Sequence, residues 1–229
     1  LLDAPLIFGW GMVPALGVAG AAWASVAGQW VGAIALLLWL RRRLNLTWRV
    51  SLSEALALLK VGGDLFVRTG LLTLFLLLAT RAANRISPEA GAAHQAIRQV
   101  WIFTALALEA FATTAQSLVG YFLGSGQSQV ARQVAWVSTR WSLGMGAGLL
   151  AIMLLVAGPV MRLLVPADAE VVFMAAWPLA AIFQPLNALA FISDGIHWGT
   201  RDYRFLRNAM IAATSTGALG LWLIDTQSG

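Results

Sequence analysis

Cysteine is missing from this sequence and charge is scarce. Without cysteine the chain forms no disulfide and offers no thiolate to a metal. Charged residues make up 11% of the 229, against roughly 25% in a soluble domain. Histidine occurs only at His94 and His197, too far apart for a His-rich metal site. No GxSxG, HExxH or GxxxxGK[ST] string is present, so the signatures of a serine hydrolase, a zinc protease and a P-loop NTPase are all lacking. The expectation is a protein that is not an enzyme and holds no cofactor. What fills the chain instead is apolar: 59% of its residues, with a mean hydropathy of +0.77.

A soluble fold of this length has nowhere to put so many apolar residues, but a membrane does. A hydrocarbon core about 30 Å thick needs about 20 apolar residues per helix. Stretches near 16–40, 65–80, 99–123, 141–165 and 171–198 reach or approach that length, a sixth runs from about 205 to 224, and residues 1–14 look like the tail of another. The predicted fold class is all-α: a polytopic helical bundle in a membrane. Ser51 and Glu54 have capping-box spacing and predict a helix start there. Its first part, through Lys60, is amphipathic, and Gly62-Gly63 allow a bend into the second span. Ser87-Pro88, Gly124-Ser125-Gly126 and Pro166-Ala167-Asp168 mark turns.

The net charge of +5 and the pI of about 11.0 would suggest nucleic acid in a soluble protein. In a membrane protein, basic residues gather in cytoplasmic loops, and no aromatic–basic RNA-binding motif is present. Placing the 41–60 connection inside puts Arg41, Arg42, Arg43, Arg49, Lys60, Arg132, Arg201, Arg204 and Arg207 on that side, with Arg81, Arg85, Arg98 and Arg162 outside. The excess fixes the expected orientation. No charged region and cleavage site precede the apolar start, so it is not a signal peptide. Both ends read as cut, as in a fragment of a longer protein.

Ionisable groups inside a span cost roughly 2.5–3.5 kcal/mol on insertion scales, so they face the bundle interior or water. Glu109 sits near the middle of its span, and Thr113 and Gln116 share its face. This stripe implies a hydrated cavity or a partner helix, the structural alternative being an ion pair with an arginine such as Arg68. Asp64 and Arg68 stand one turn apart and are expected to pair along their own helix. Asp194 and His197, at i and i+3, read as a helix-end polar pair, with a proton relay as the alternative. Pro178 and Pro185 interrupt a single span, a pattern that is either tolerated structure or a broken helix lining a cavity. Gly120/Gly124 and Gly144/Gly148 have GxxxG spacing and predict close helix packing.

Several strings resemble a family. Leu2-Asp3-Ala4-Pro5-Leu6-Ile7 followed by Gly17-Val18-Ala19-Gly20-Ala21-Ala22-Trp23-Ala24 is similar to a region of the MATE multidrug and toxic-compound exporters. So are Ala92-Ala93-His94-Gln95-Ala96-Ile97 and Ala115-Gln116-Ser117-Leu118-Val119-Gly120. Asp194-Gly195-Ile196 with Gly199 through Tyr203, and Arg68 within Val67-Arg68-Thr69, resemble the DinF-like branch.

That resemblance implies a twelve-helix, two-lobe transporter, of which this chain covers the end of helix 5 to helix 11. Residues 1–40 would close the first lobe, 41–60 would be the cytoplasmic link, and 61–229 the second lobe without its last helix. It also implies antiport of protons or sodium against a bulky organic substrate, in a lipid bilayer such as the bacterial inner membrane, by a protein that is monomeric at full length. Asp3 matches the coupling aspartate of the first lobe. Arg68, Glu109, Gln116 and Asn187 are the expected wall of the substrate cavity. Asn187 stands where other branches carry an acid, which argues against their second-lobe cation site here. The alternatives are a lipid-linked precursor flippase of the same superfamily, a non-transporting membrane subunit, and an intramembrane enzyme, for which no catalytic dyad is visible.

Overall fold

The computed structural model describes residues 3–9, 15–44 and 51–227, the side chains of residues 3, 44 and 224–227 excepted. Every regular element among them is helical. The chain divides into two compact units, residues 1–55 and 56–229.

In the first unit, α1 (Asp3–Phe8) meets the start of α2 (Gly17–Leu44). Gly20 lets the two backbones touch, since a Cβ there would stand 2.1 Å from the Leu6 carbonyl oxygen. Arg41, Arg42 and Arg43 close α2, at the end where the helix dipole favours cations.

The second unit contains α3 (Leu52–Ile86, which begins at the boundary), α4 (Pro88–Gly124), α5 (Ser128–Leu155), the short α6 (Ala157–Leu164), α7 (Glu170–Ile182), α8 (Gln184–Thr200) and α9 (Tyr203–Gln227). α2, α3, α4 and α5 are long and apolar enough to cross a membrane, and α7 with α8 makes a fifth span bent by 47°. The protein is therefore a multi-pass integral membrane protein with an all-helical fold. α9, the expected sixth span, is helical but less apolar than the others, because Arg207, Asn208 and Thr214-Ser215-Thr216 lie within it.

Helix starts follow the turn chemistry. Ser87 caps α4: its Oγ accepts from the Ala90 amide at 3.1 Å, and Pro88 fills the first helical position. A Ser87→Ala change will cost about 1 kcal/mol, read as a lower unfolding midpoint of the purified protein in detergent. α3 also starts where Ser51 predicts, but the Ser51 hydroxyl bonds Ser53 Oγ at 2.8 Å rather than closing a capping box with Glu54. α3 runs through Gly62-Gly63 as one helix, with no break at the glycines.

α4, α5 and α8 form the tightest packing. Gly195 sits on the α4 backbone, where a Cβ would stand 2.2 Å from the Ala112 carbonyl oxygen. One turn on, a Cβ at Gly199 would lie 2.8 Å from the Gln116 carbonyl oxygen. Gly146 of α5 lies as close to Ala188 and Pro185. The predicted pairs are thus displaced. Gly144, Gly148 and Gly124 face open space, and of those four only Gly120 approaches a neighbour, at Gly199. The closely packed GxxxG is Gly195/Gly199. Polar bonds add to this packing: Ser142 Oγ donates to the Ala188 carbonyl (3.1 Å), and Trp177 Nε1 donates to the Met153 carbonyl (2.8 Å). The latter lies in the last turn of α5, where carbonyls run out of intrahelical partners. Trp177 and Phe173, with ring centroids 4.9 Å apart, anchor the apolar core with Ala93, Ala96 and Ala169.

The bend falls at Phe183. Pro185 has no N–H to return to the Ala181 carbonyl, which is one missing rung of the helical ladder. Pro178 lies inside α7 without ending it.

Candidate functional site

Two polar places are built into the second unit. The first joins three helices near the α8–α9 turn. Arg68 of α3 forms an ion pair with Asp194 of α8, and Asp64 of α3 forms one with Arg207 of α9. The expected Asp64–Arg68 pair within α3 is therefore replaced by two interhelical pairs. Spacing makes the intrahelical pair possible, but the ends of α8 and α9 bring an opposite charge to each member. The Asp64 side chain is 10% exposed and that of Arg68 is 17% exposed, so each charge needs its partner. His197 is not paired with Asp194. Its Nδ1 donates to the Ser193 carbonyl at 2.7 Å, and its ring stacks on Phe205 at 3.9 Å and 9°.

The turn below is tightly made. Arg201 takes a left-handed conformation (φ 60°) to close α8, and Asp202 Oδ1 accepts from the Phe205 amide at 3.2 Å to open α9. The α3–α8–α9 ion pairs thus rest on a fixed corner.

The second place is a cavity of about 280 Å³ at the bend between α7 and α8. His94, Arg98 and Trp101 reach it from α4, Leu76 from α3, and Gln184 and Asn187 from the start of α8. At 1.5 Å per residue, Arg98 lies about 15 Å along α4 from Pro88, directly before the apolar stretch that begins near residue 99. Among the described residues no carboxylate pairs with it, and its Nε is buried without a hydrogen-bond partner. Gln184 is 1% exposed, and its Oε1 also lacks a partner. Thr80 Oγ1 donates to the Leu76 carbonyl at 2.8 Å and lies 3.4 Å from His94 Nε2.

The expected site residues do not meet at one point. Asp3 opens α1, but its side chain lies outside those described. Arg68 belongs to the ion-pair corner and Asn187 to the cavity at the bend. Glu109 is on the exposed face of α4, with no described partner for its carboxylate, so it is not the partner of Arg68. Gln116 is half-buried, with its backbone against Gly199. Sequence patterning passed over Gln184 and took Arg98 only as an outer-face charge. The signal for Gln184 was its place directly before Pro185. His94 is a cavity residue as well. Arg140, midway along α5 on its exposed face, is a further basic residue inside a span.

Neither place holds the nucleophile, base and electrophile of a catalytic centre, and no group of metal-ligating residues occurs among the described ones. What the arrangement offers is a polar seat inside a broken span and a charge-paired corner beside it.

The profile of the MatE family matches residues 65–223. The chain is 32% identical to Protein DETOXIFICATION 44, chloroplastic, of Arabidopsis thaliana, over 97% of this chain and 44% of that protein. It is 30% identical to Protein DETOXIFICATION 45, chloroplastic, of the same plant, over 91% of this chain and 40% of that protein. A probable multidrug resistance protein NorM of Deinococcus radiodurans is 28% identical, over 97% of this chain and 54% of that protein. The chain spans about half the length of these curated relatives. No solved structure matches it significantly. A bent span with a polar cavity at its break, close-packed glycines on Asp194-Gly195-Ile196 and Gly199, and a match over most of the sequence lead to one assignment: the chain belongs to the MatE family.

Proposed function

We propose that this chain is the end of the first lobe, the inter-lobe link and most of the second lobe of a secondary antiporter that exports drugs or other amphipathic or cationic compounds. Protons or sodium drive it, and the whole protein works as a monomer in a bacterial inner membrane. The observation that carries this reading is the span broken between α7 and α8, in a chain of this family. Broken helices at mid-membrane supply unpaired backbone and polar side chains to substrates. The bacterial NorM relative carries multidrug resistance in its name, which supports export as the activity.

In this reading Asp3 is the coupling group. Its protonation changes which arrangement of the first lobe is favoured, and the population moves only as far as the ion binds the two arrangements differently. Asn187 lines the cavity, while Glu109 and Gln116 form the wall toward the substrate path. Arg68 acts through its pair with Asp194. The residues of the DinF-like strings, Arg68 and Asp194, are the two that meet, which supports placing the chain in that branch.

In the full-length protein, Asp3→Asn is expected to abolish gradient-driven dye efflux from everted vesicles while expression stays normal. Unchanged efflux would remove Asp3 from the coupling site. The second reading, a lipid-linked precursor flippase, is favoured by one observation, the unpaired Arg98 in the cavity. It predicts competition by anionic lipid rather than by dyes.

A further inference from the structure

We infer that the cavity at the α7–α8 bend binds a small organic oxyanion that carries its own hydroxyl or N–H donor, with Arg98 and Gln184 as its two recognition groups. The sign of the ligand follows from the lining. Arg98 is the one permanently charged side chain there, and no aspartate or glutamate lines the space. A guanidinium is always protonated, and Arg98 is partly buried with no carboxylate beside it among the described residues, an arrangement that is costly in a membrane protein. The half-dipoles of α7 and α8 meet head to tail at the break and largely cancel, so Arg98 sets the potential. An organic cation is repelled from this seat.

The need for a donor follows from Gln184. It is 1% exposed, and its Oε1 accepts nothing from the protein. A buried acceptor left unmade costs about 1–3 kcal/mol. An approaching O–H or N–H completes it, while an oxyanion completes the orphan Nε–H of Arg98. Asn187 supplies further amide contacts, and Trp101, whose ring lies 6.4 Å from that of Phe191, walls one side. About 280 Å³ holds some nine waters at about 30 Å³ each, enough for a small acid. The inference goes beyond the transport reading: it gives this cavity an anionic ligand of its own, apart from the exported compounds. Its test is equilibrium binding without a gradient, so it stands or falls apart from transport.

The probes are lactate, which has the carboxylate and the hydroxyl; propionate, which lacks the hydroxyl; glycerol phosphate; and tetramethylammonium. Each is titrated by tryptophan fluorescence or calorimetry against the full-length parent in neutral detergent. Lactate and glycerol phosphate are expected to bind, propionate at least five-fold more weakly, and tetramethylammonium not to compete. Arg98→Gln should weaken lactate at least ten-fold. Arg98→Lys, which keeps the charge and guards against a folding artefact, should retain part of the affinity. Gln184→Met should erase the preference for lactate over propionate. Phosphatidylglycerol added to the micelles displaces lactate if a lipid headgroup is the natural source of the oxyanion, and leaves it bound if a soluble acid is; lactate binding in its absence supports the site either way. Equal lactate binding by parent and Arg98→Gln, no oxyanion binding at all, or displacement by tetramethylammonium overturns the inference.

Discussion

Leucine in place of Gly195 will prevent the second unit from assembling. The α4 and α8 backbones meet at this residue, so that even a Cβ would lie 2.2 Å from the Ala112 carbonyl oxygen and 2.8 Å from its Cα. Those atoms belong to a helix backbone and cannot rotate aside, so α8 as a whole must move. Overpacking with flexible neighbours costs roughly 1–3 kcal/mol, and here the cost exceeds that range. Displacing α8 also pulls Ala188 from Ser142 and Asp194 from Arg68. The expected result is loss of monodisperse protein in size-exclusion chromatography. Gly144→Ala is the control, since nothing lies within 4 Å of a Cβ there, and its unfolding midpoint should stay within about 0.5 kcal/mol of the parent. A well-folded Gly195→Leu protein would show that the two helices do not meet at this residue.

Asp194→Asn carries the next largest effect. It leaves the Arg68 guanidinium, 17% exposed and already with an unpartnered Nε, without its carboxylate. Removing one member of a fully buried pair costs roughly 3–5 kcal/mol. Because the Asp194 side chain is 32% exposed, about 2–3 kcal/mol is expected here. Adding Arg68→Gln removes the stranded charge, so the double variant should recover most of the loss. A double-mutant cycle on unfolding midpoints reads the coupling directly. Additive losses would mean that the two residues do not act as a pair. Glu109→Gln is expected to leave stability unchanged, since no described partner holds that carboxylate.

The helices were legible because their ends are chemical. Ser87-Pro88, Gly124-Ser125-Gly126 and Pro166 each specify a local backbone that no distant contact needs to support. Four spans and the bent fifth were legible from their apolar length, whereas α9, the expected sixth, is long enough but not apolar enough. Partners across helices were not. Asp64 and Arg68 satisfy the i, i+4 rule, yet each is claimed by a helix more than a hundred residues away. Glycine spacing had the same ambiguity: 120/124, 144/148 and 195/199 all fit, and only the neighbouring backbone decides which pair is buried.

The prolines show the limit most clearly. Pro178 and Pro185 lack the same N–H, yet the break is at Phe183. α7 is held through Pro178 by Phe173 and Trp177, the latter bonded to the Met153 carbonyl. At Pro185 the cavity leaves room to bend. The cavity's recognition groups were hidden for a related reason. Arg98 reads as one basic residue among many until its missing counter-ion is seen, and Gln184 reads as ordinary until its burial is known.

Efflux of a fluorescent dye from everted vesicles carrying the full-length parent, under imposed proton and sodium gradients in turn, decides whether this protein is a gradient-driven exporter. Gradient-driven antiport predicts that export runs only while one of the two gradients stands and stops when an ionophore collapses it. Export that continues with both gradients collapsed, or none under either gradient from normally expressed protein, would contradict it.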